Sequence, residues 1–251
     1  MIVLFTDFGL KGPYVGQMKA RILRDAPDVQ IIDLFANAPG QNEKAASYLL
    51  SAYALEFPPG TIFLCVVDPG VGGARPSVIV EADGRWYVGP GNGLFEIVTR
   101  RALEQSENQV RRWQITWAPE NLSPSFHGRD LFAPIAAKIY LGDDIEGDLK
   151  PNDWNRFEDW PDDLAEIIYI DHYGNALTGI RDCVVNVSNA LNVNEIYLQS
   201  AKTFSDVSSG AAFWYINANG LVEIAVNKGN AAKYFKLDIG SPILIKDLEV
   251  I

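Results

Sequence analysis

Apolar residues in the first half of the chain come in short β-branched runs separated by stretches with helical spacing. Residues 2–5 precede 14–23, 29–34 precede 41–54, and 61–67 precede two further runs around 77–80 and 86–88. This alternation predicts βαβ units around a mostly parallel sheet. Helical patterns return at 94–103 and 131–140, where Ala133, Ala136, Ala137 and Tyr140 recur at near-helical spacing.

The texture then changes. Residues 142–163 are rich in Asp, Glu, Pro, Trp and Asn and show no sustained period, as expected of an interdomain connection. Short runs follow at 165–170, 176–180, 195–198, 212–216, 221–225 and 242–245, with tight-turn signals at Tyr173-Gly174-Asn175 and Asn217-Ala218-Asn219-Gly220. The reading is an α/β domain over 1–150, a connection over 151–163 and a small all-β domain over 164–251.

Composition narrows the function classes. Acidic residues outnumber basic ones 32 to 21, for a net charge of -11, which disfavours a nucleic-acid partner and suits a cationic or neutral small substrate. The apolar run 2–5 is too short for a signal segment or a membrane span, so a cytoplasmic protein with no membrane partner is expected. Cys65 and Cys183 lie in apolar runs and read as small buried hydrophobes. With no CxxC pair and no His-rich cluster, no metal cofactor is expected.

Four segments place ionisable or amide side chains beside glycines at the expected carboxyl ends of strands, where open α/β sheets bind ligands. They are Thr6-Asp7-Phe8-Gly9, Val67-Asp68-Pro69-Gly70-Val71-Gly72, Gly89-Pro90-Gly91-Asn92-Gly93 and Ser125-Phe126-His127-Gly128-Arg129-Asp130. Each has a plainer reading: Asp-Pro-Gly as a turn, Asp7 as a helix cap, Asp130 as a helix-start residue. Neither glycine-rich stretch has Walker or dinucleotide-binding spacing. His127 and His172 are the only histidines, and Gly128 allows close backbone approach beside the first.

Together the four segments resemble the SAM hydroxide adenosyltransferase family, which is related to the SAM-dependent fluorinase and chlorinase. The likeness covers nearly the whole chain: TDFG, VVDPGVG followed by Arg75, GPGNGLF, FHGRDLFAPIAA, IDHYGN, TFSDV at 203–207 and NANGLVEIAVNKGNAA at 217–232. It implies an α/β amino-terminal domain, a barrel-like carboxyl-terminal domain, and a homotrimer that binds S-adenosyl-L-methionine or adenosine between subunits. It also maps a hydroxide-forming triad onto Asp68, Arg75 and His127. One departure is visible: relatives carry Asp before Pro-Tyr-Val, as though to grip ribose, and this chain has Gly12.

The implied reaction is attack of water-derived hydroxide on the 5′ carbon, giving adenosine and methionine without a metal. Arg75 would favour the deprotonated water, and His127, whose ordinary pKa lies near working pH, would take the proton, with Asp68 as the alternative base. By the same resemblance Asp171 meets the methionine ammonium and Asn175 the adenine edge, and Asn217 and Lys228 complete the set. Asp7 and Gly128 would line the pocket; Phe126 and Tyr173 are stacking surfaces or core. The alternatives are a chlorinase-like halide adenosyltransferase, or a SAM- or adenosine-binding protein without chemistry.

Overall fold

Five consecutive buried residues make up β1 (Ile2–Thr6), and five more make up β3 (Ile62–Val66). Runs that are apolar throughout belong to strands covered on both faces. The computed structural model describes residues 1–106 and 109–247. The chain separates into two compact units, Met1–Phe157 and Glu158–Ile251. The positions 248–251 of the expected second domain lie outside the described residues.

In the first unit β1 and β3 are central to a seven-stranded sheet. The other strands are β2 (Ile31–Phe35), β4 (Ser77–Ala82), β5 (Arg85–Pro90), β6 (Val110–Ile115) and β7 (Gly147–Lys150), in the order β2-β1-β3-β5-β4-β6-β7. The pairs β2/β1, β1/β3 and β3/β5 are parallel, whereas β5/β4, β4/β6 and β6/β7 are antiparallel. The sheet is therefore mixed, which corrects the expectation of a mostly parallel one. The reversal starts at Asp83 and Gly84, where φ of 49° and 70° makes a two-residue turn of the hairpin kind between β4 and β5.

Alternate residues of the strands face opposite layers. Ile2, Leu4, Leu64, Val66 and Ile79 pack with Met18 and Ile22 of α1 (Tyr14–Asp25) and with Ile135 and Ala136 of α4 (Ala133–Leu141). On the other layer Phe35 stacks edge-on against both Phe5 and Tyr53 of α2 (Glu43–Ala54). There Ser47 Oγ of α2 accepts from the Ile97 amide of α3 (Glu96–Gln105). Residues of the expected connection also belong to this unit. Arg156 Nε donates to Glu96 at 2.9 Å, and Asn155 Nδ2 donates to the Gly91 carbonyl at 2.8 Å.

The second unit holds β8 (Leu164–Ile170), β9 (Ala176–Arg181), β10 (Asn189–Val193), β11 (Ile196–Leu198), β12 (Ala212–Ile216), β13 (Leu221–Val226) and β14 (Leu244–Asp247). They form two antiparallel sheets, β12-β13-β9-β8 and β11-β10-β14, around a core that includes Ile167, Leu191, Trp214, Val222 and Ile224. The unit is not wholly β: α5 (Ala231–Phe235) follows Asn230, whose side chain accepts from the Lys233 amide. One turn and a half is too short to show a helical period. Cys65 is buried as expected, but Cys183 is exposed in a single helical turn, Asp182–Val184.

Candidate active site

The loop after β3 carries Asp68. It turns at Gly72, where φ is +77° and a Cβ would press on the Pro124 carbonyl, so only glycine lets 70–73 approach the segment that leads to His127. Arg75 follows, two residues before the Ser77 that opens β4. His127 begins a wide helical turn, Gly128–Phe132, that runs directly into α4. Gly128 permits this approach: a Cβ there would lie 3.2 Å from Val66 and 3.3 Å from Met18.

These elements bring the three expected side chains together. Arg75 Nε donates to Asp68 Oδ1 at 2.9 Å, and Arg75 Nη2 donates to Asp68 Oδ2. Nη2 also lies 3.0 Å from His127 Nδ1, and Nη1 donates to Ser77 Oγ at 3.0 Å. The guanidinium sits 5.4 Å from the centre of the Phe132 ring. Both ion-pair partners are largely buried, so the pair is poorly screened by solvent.

A guanidinium only donates, so Nδ1 of His127 must accept and the neutral ring carries its proton on Nε2. Burial, and then the Arg75 charge, hold the His127 pKa below its ordinary 6.5, against the upward pull of Asp68 and Asp130. Near neutral pH the imidazole is therefore an N–H donor at Nε2.

Asp68 and His127 line a cavity of about 310 Å³ together with Asp7, Phe8, Val66, Val71, Ser125, Phe126 and Gly128. Arg75 is not in its wall; it stands behind the acid and the imidazole. Asp7 does not cap α1, which has no side-chain cap; its Oδ2 accepts from the Gln41 amide at 3.0 Å. Burial pushes the Asp7 carboxyl up, and the nearby Asp68 charge adds to this against two backbone amides. Phe126 joins Phe8 and Tyr14 in an edge-on aromatic cluster. Asp130 pairs with Arg129 and accepts from the Ser123 amide. Ser77 and Phe132, which orient Arg75, were not marked in the sequence.

In the second unit, Asp171 accepts from the amides of Tyr173 and Asn175 and from Asn175 Nδ2 at 3.0 Å. It borders an open cleft of about 850 Å³ with Gly174, Asn230, Lys233 and Lys236. The Tyr173 ring is 73% exposed, so it is not core. Asn217 holds its hairpin, accepting from Asn219 and Leu221 and donating to Glu223. Lys228 lies exposed on the turn after β13, with φ of 56° and outside the cleft lining. Glu223, a lone acid in an apolar strand, was missed; burial pushes its carboxyl up.

Among the described residues no three His, Cys, Asp or Glu side chains are grouped to hold a metal ion, and no helix is long and apolar enough to cross a membrane. The model of the SAM hydroxide adenosyltransferase N-terminal domain matches residues 2–147, and that of the C-terminal domain matches 165–244. An (R)-S-adenosyl-L-methionine hydrolase of Thermus thermophilus is 36% identical over 96% of this chain and 98% of its own. One from Salinispora arenicola is 31% identical over 96% and 95%. The crystal structure of an uncharacterized conserved protein from Thermotoga maritima superposes with a TM-score of 0.86 at 31% identity, covering 98% of this chain and 99% of that one.

Proposed function

The chain belongs to the SAM hydroxide adenosyltransferase family, and from that premise we propose that Asp68, Arg75 and His127 direct water-derived hydroxide onto the 5′ carbon of S-adenosyl-L-methionine. The enzyme is an adenosine-forming SAM hydrolase. The observation that carries the assignment of roles is the single guanidinium bonded to both Asp68 and His127 at the wall of one cavity.

A water in that cavity meets the Asp68 carboxylate on one side and the His127 Nε2–H on the other. The carboxylate accepts and the imidazole donates, which fixes the oxygen lone pair for attack. The occupied Nδ1 of His127 supports Asp68, rather than His127, as the acceptor of the water proton. Arg75 acts from behind through its charge, stabilising negative charge on oxygen where solvent is scarce. Attack forms the bond from oxygen to the 5′ carbon as the carbon–sulfur bond breaks and methionine leaves neutral. Anion and sulfonium annihilate, so charge disperses in the transition state and a water-poor pocket favours it. The chemistry needs no metal.

Asp7, in the same cavity, is the carboxylate on hand for the ribose hydroxyls, offsetting Gly12; the Gly12 backbone takes φ of +118°, a conformation that suits glycine. Phe126 offers an aromatic wall. In the second unit Asp171 serves the methionine ammonium and Asn175 the adenine. The engagement of Asn217 within its hairpin supports a structural role for it. The working form is a cytoplasmic homotrimer with sites between subunits and a barrel-like second domain, acting on neither nucleic acid nor membrane.

The test is product analysis. Purified protein with S-adenosyl-L-methionine in halide-free buffer should give adenosine and methionine in equal amounts, unchanged by added chloride. A 5′-chloro nucleoside would instead assign the chain to halide chemistry, and binding without product would remove the chemistry altogether.

A further inference from the structure

Arg112 of β6 is only 5% exposed, yet most of its guanidinium is unused. Nη1 donates to the Trp154 carbonyl at 3.2 Å, whereas the buried Nε and Nη2 have no hydrogen-bond partner among the described residues. Those two nitrogens make up the edge of an arginine that grips a carboxylate through two parallel bonds. Elsewhere in the chain that edge is filled: Arg75 uses it on Asp68, Arg181 on Asp163 and Arg156 on Glu96. Glu96 also stands near Arg112, but its oxygens accept from Arg156 at 2.9 and 3.1 Å and from Arg100 at 3.0 Å. Burial pushes the Arg112 pKa down to about 10 against the pull of Glu96, so the group is still cationic at neutral pH. A buried cation whose donors are unmatched is costly unless an anion meets it.

There is room for one. Arg112 lines a cavity of about 300 Å³ with Val78 and Val80 of β4 and with Phe95, Glu96, Trp154 and Asn155. Gly91, from the glycine-rich stretch at the end of β5, borders it too. A Cβ there would lie 2.8 Å from Val78 and 3.0 Å from Asn155 Nδ2, so glycine lets the loop close down on this side. None of these residues lines the cavity of Asp68 and His127.

We propose that this second cavity binds a small monocarboxylate, its two oxygens on Arg112 Nε and Nη2 and its apolar tail against Val78, Val80 and Phe95. The fork matches the pair of oxygens, and the mostly apolar wall matches a hydrocarbon tail. A phosphate dianion suits the place less well. It brings oxygens that the fork cannot serve into an apolar enclosure, and its second charge would face Glu96.

The experiment is titration calorimetry of the full-length protein with butyrate, acetate and inorganic phosphate, with chloride as the control at matched ionic strength. Butyrate should bind saturably at one per chain, about tenfold more tightly than acetate because two further methylenes are buried. Phosphate should bind at least ~10-fold more weakly than butyrate. Butyrate heats no larger than those of chloride would overturn the site, and phosphate binding more tightly than butyrate would overturn its assignment to a carboxylate. Arg112→Lys keeps the charge without the fork, and Arg112→Met removes both. Each should weaken butyrate by about tenfold or more, and binding as tight as wild type in either folded variant would contradict the proposal. Val80→Leu leaves Arg112 intact and narrows the cavity, so it should weaken butyrate more than acetate; an equal effect on both would remove the tail from this wall. A crystal structure with butyrate gives an independent check. Both carboxylate oxygens should lie within hydrogen-bond distance of Arg112, and water alone in the cavity at saturating butyrate would overturn the inference.

Discussion

The cluster around Arg75 and the cluster around Asn175 use one device with opposite signs. In the first unit a donor-only guanidinium fixes an acid and an imidazole. In the second, the acceptor-only carboxylate of Asp171 fixes an amide. The cationic cluster is suited to an anionic nucleophile, and the acidic one to the amines of a cationic substrate. Orientation is set in each case by a group that can play only one hydrogen-bonding role, so removing that group should cost more than its own contact.

The sharpest way to break the comparison is Arg75→Ala. It leaves Asp68 and His127 without the group that orients them and takes away the local positive charge. Steady-state kinetics should show kcat lowered by ~10²–10⁴-fold with KM little altered. A loss confined to KM would move Arg75 from the chemistry to substrate binding.

Asp68→Asn and His127→Gln separate the two groups that Arg75 holds. With Asp68 as proton acceptor, Asp68→Asn should cost ~10²–10³-fold in kcat, and His127→Gln, which keeps an N–H donor, about tenfold or less. The reverse order would return the base to His127.

The pH dependence sharpens the same point. Folding holds the His127 pKa below 6.5, so the unfolded chain takes up this proton first. The stability associated with neutral His127 is fully present above pH 6.5 and lost as pH falls through the window beneath it. Activity should likewise stay level down to pH 6.5 and decline only below. A pH–rate profile falling on the alkaline side of 6.5 would contradict the neutral, Arg75-bonded imidazole.

The smallest expected effect lies in the loop. Gly72→Ala places a side chain at φ of +77° against the Pro124 carbonyl. Left-handed backbone alone costs about 1–2 kcal/mol. Thermal unfolding should occur at a lower temperature, with kcat reduced through misplacement of Asp68. An unchanged melting temperature would show that the loop has room to adjust.

The first-unit cluster was legible in the sequence because its chemistry sits beside glycines at the ends of apolar strands, as at Asp68 and His127. The antiparallel half of the sheet was not. β6 carries Arg111, Arg112 and Gln114, and β7 is only Gly147 to Lys150, so neither shows the apolar run of a buried strand. Their pairing is decided by distant partners such as Val80 opposite Arg112. Glu223 was hidden for a related reason. A single acid in an apolar strand signals a buried polar partner without saying which one, and here the partners are Tyr215 and Asn217.

The origin of the new oxygen tests the central claim most directly. Turnover in heavy-oxygen water, followed by mass spectrometry of the nucleoside, should place the heavy isotope at the 5′ hydroxyl of adenosine, with none in methionine. Adenosine without the label, or a product substituted at any other carbon, would contradict hydroxide attack at the 5′ position.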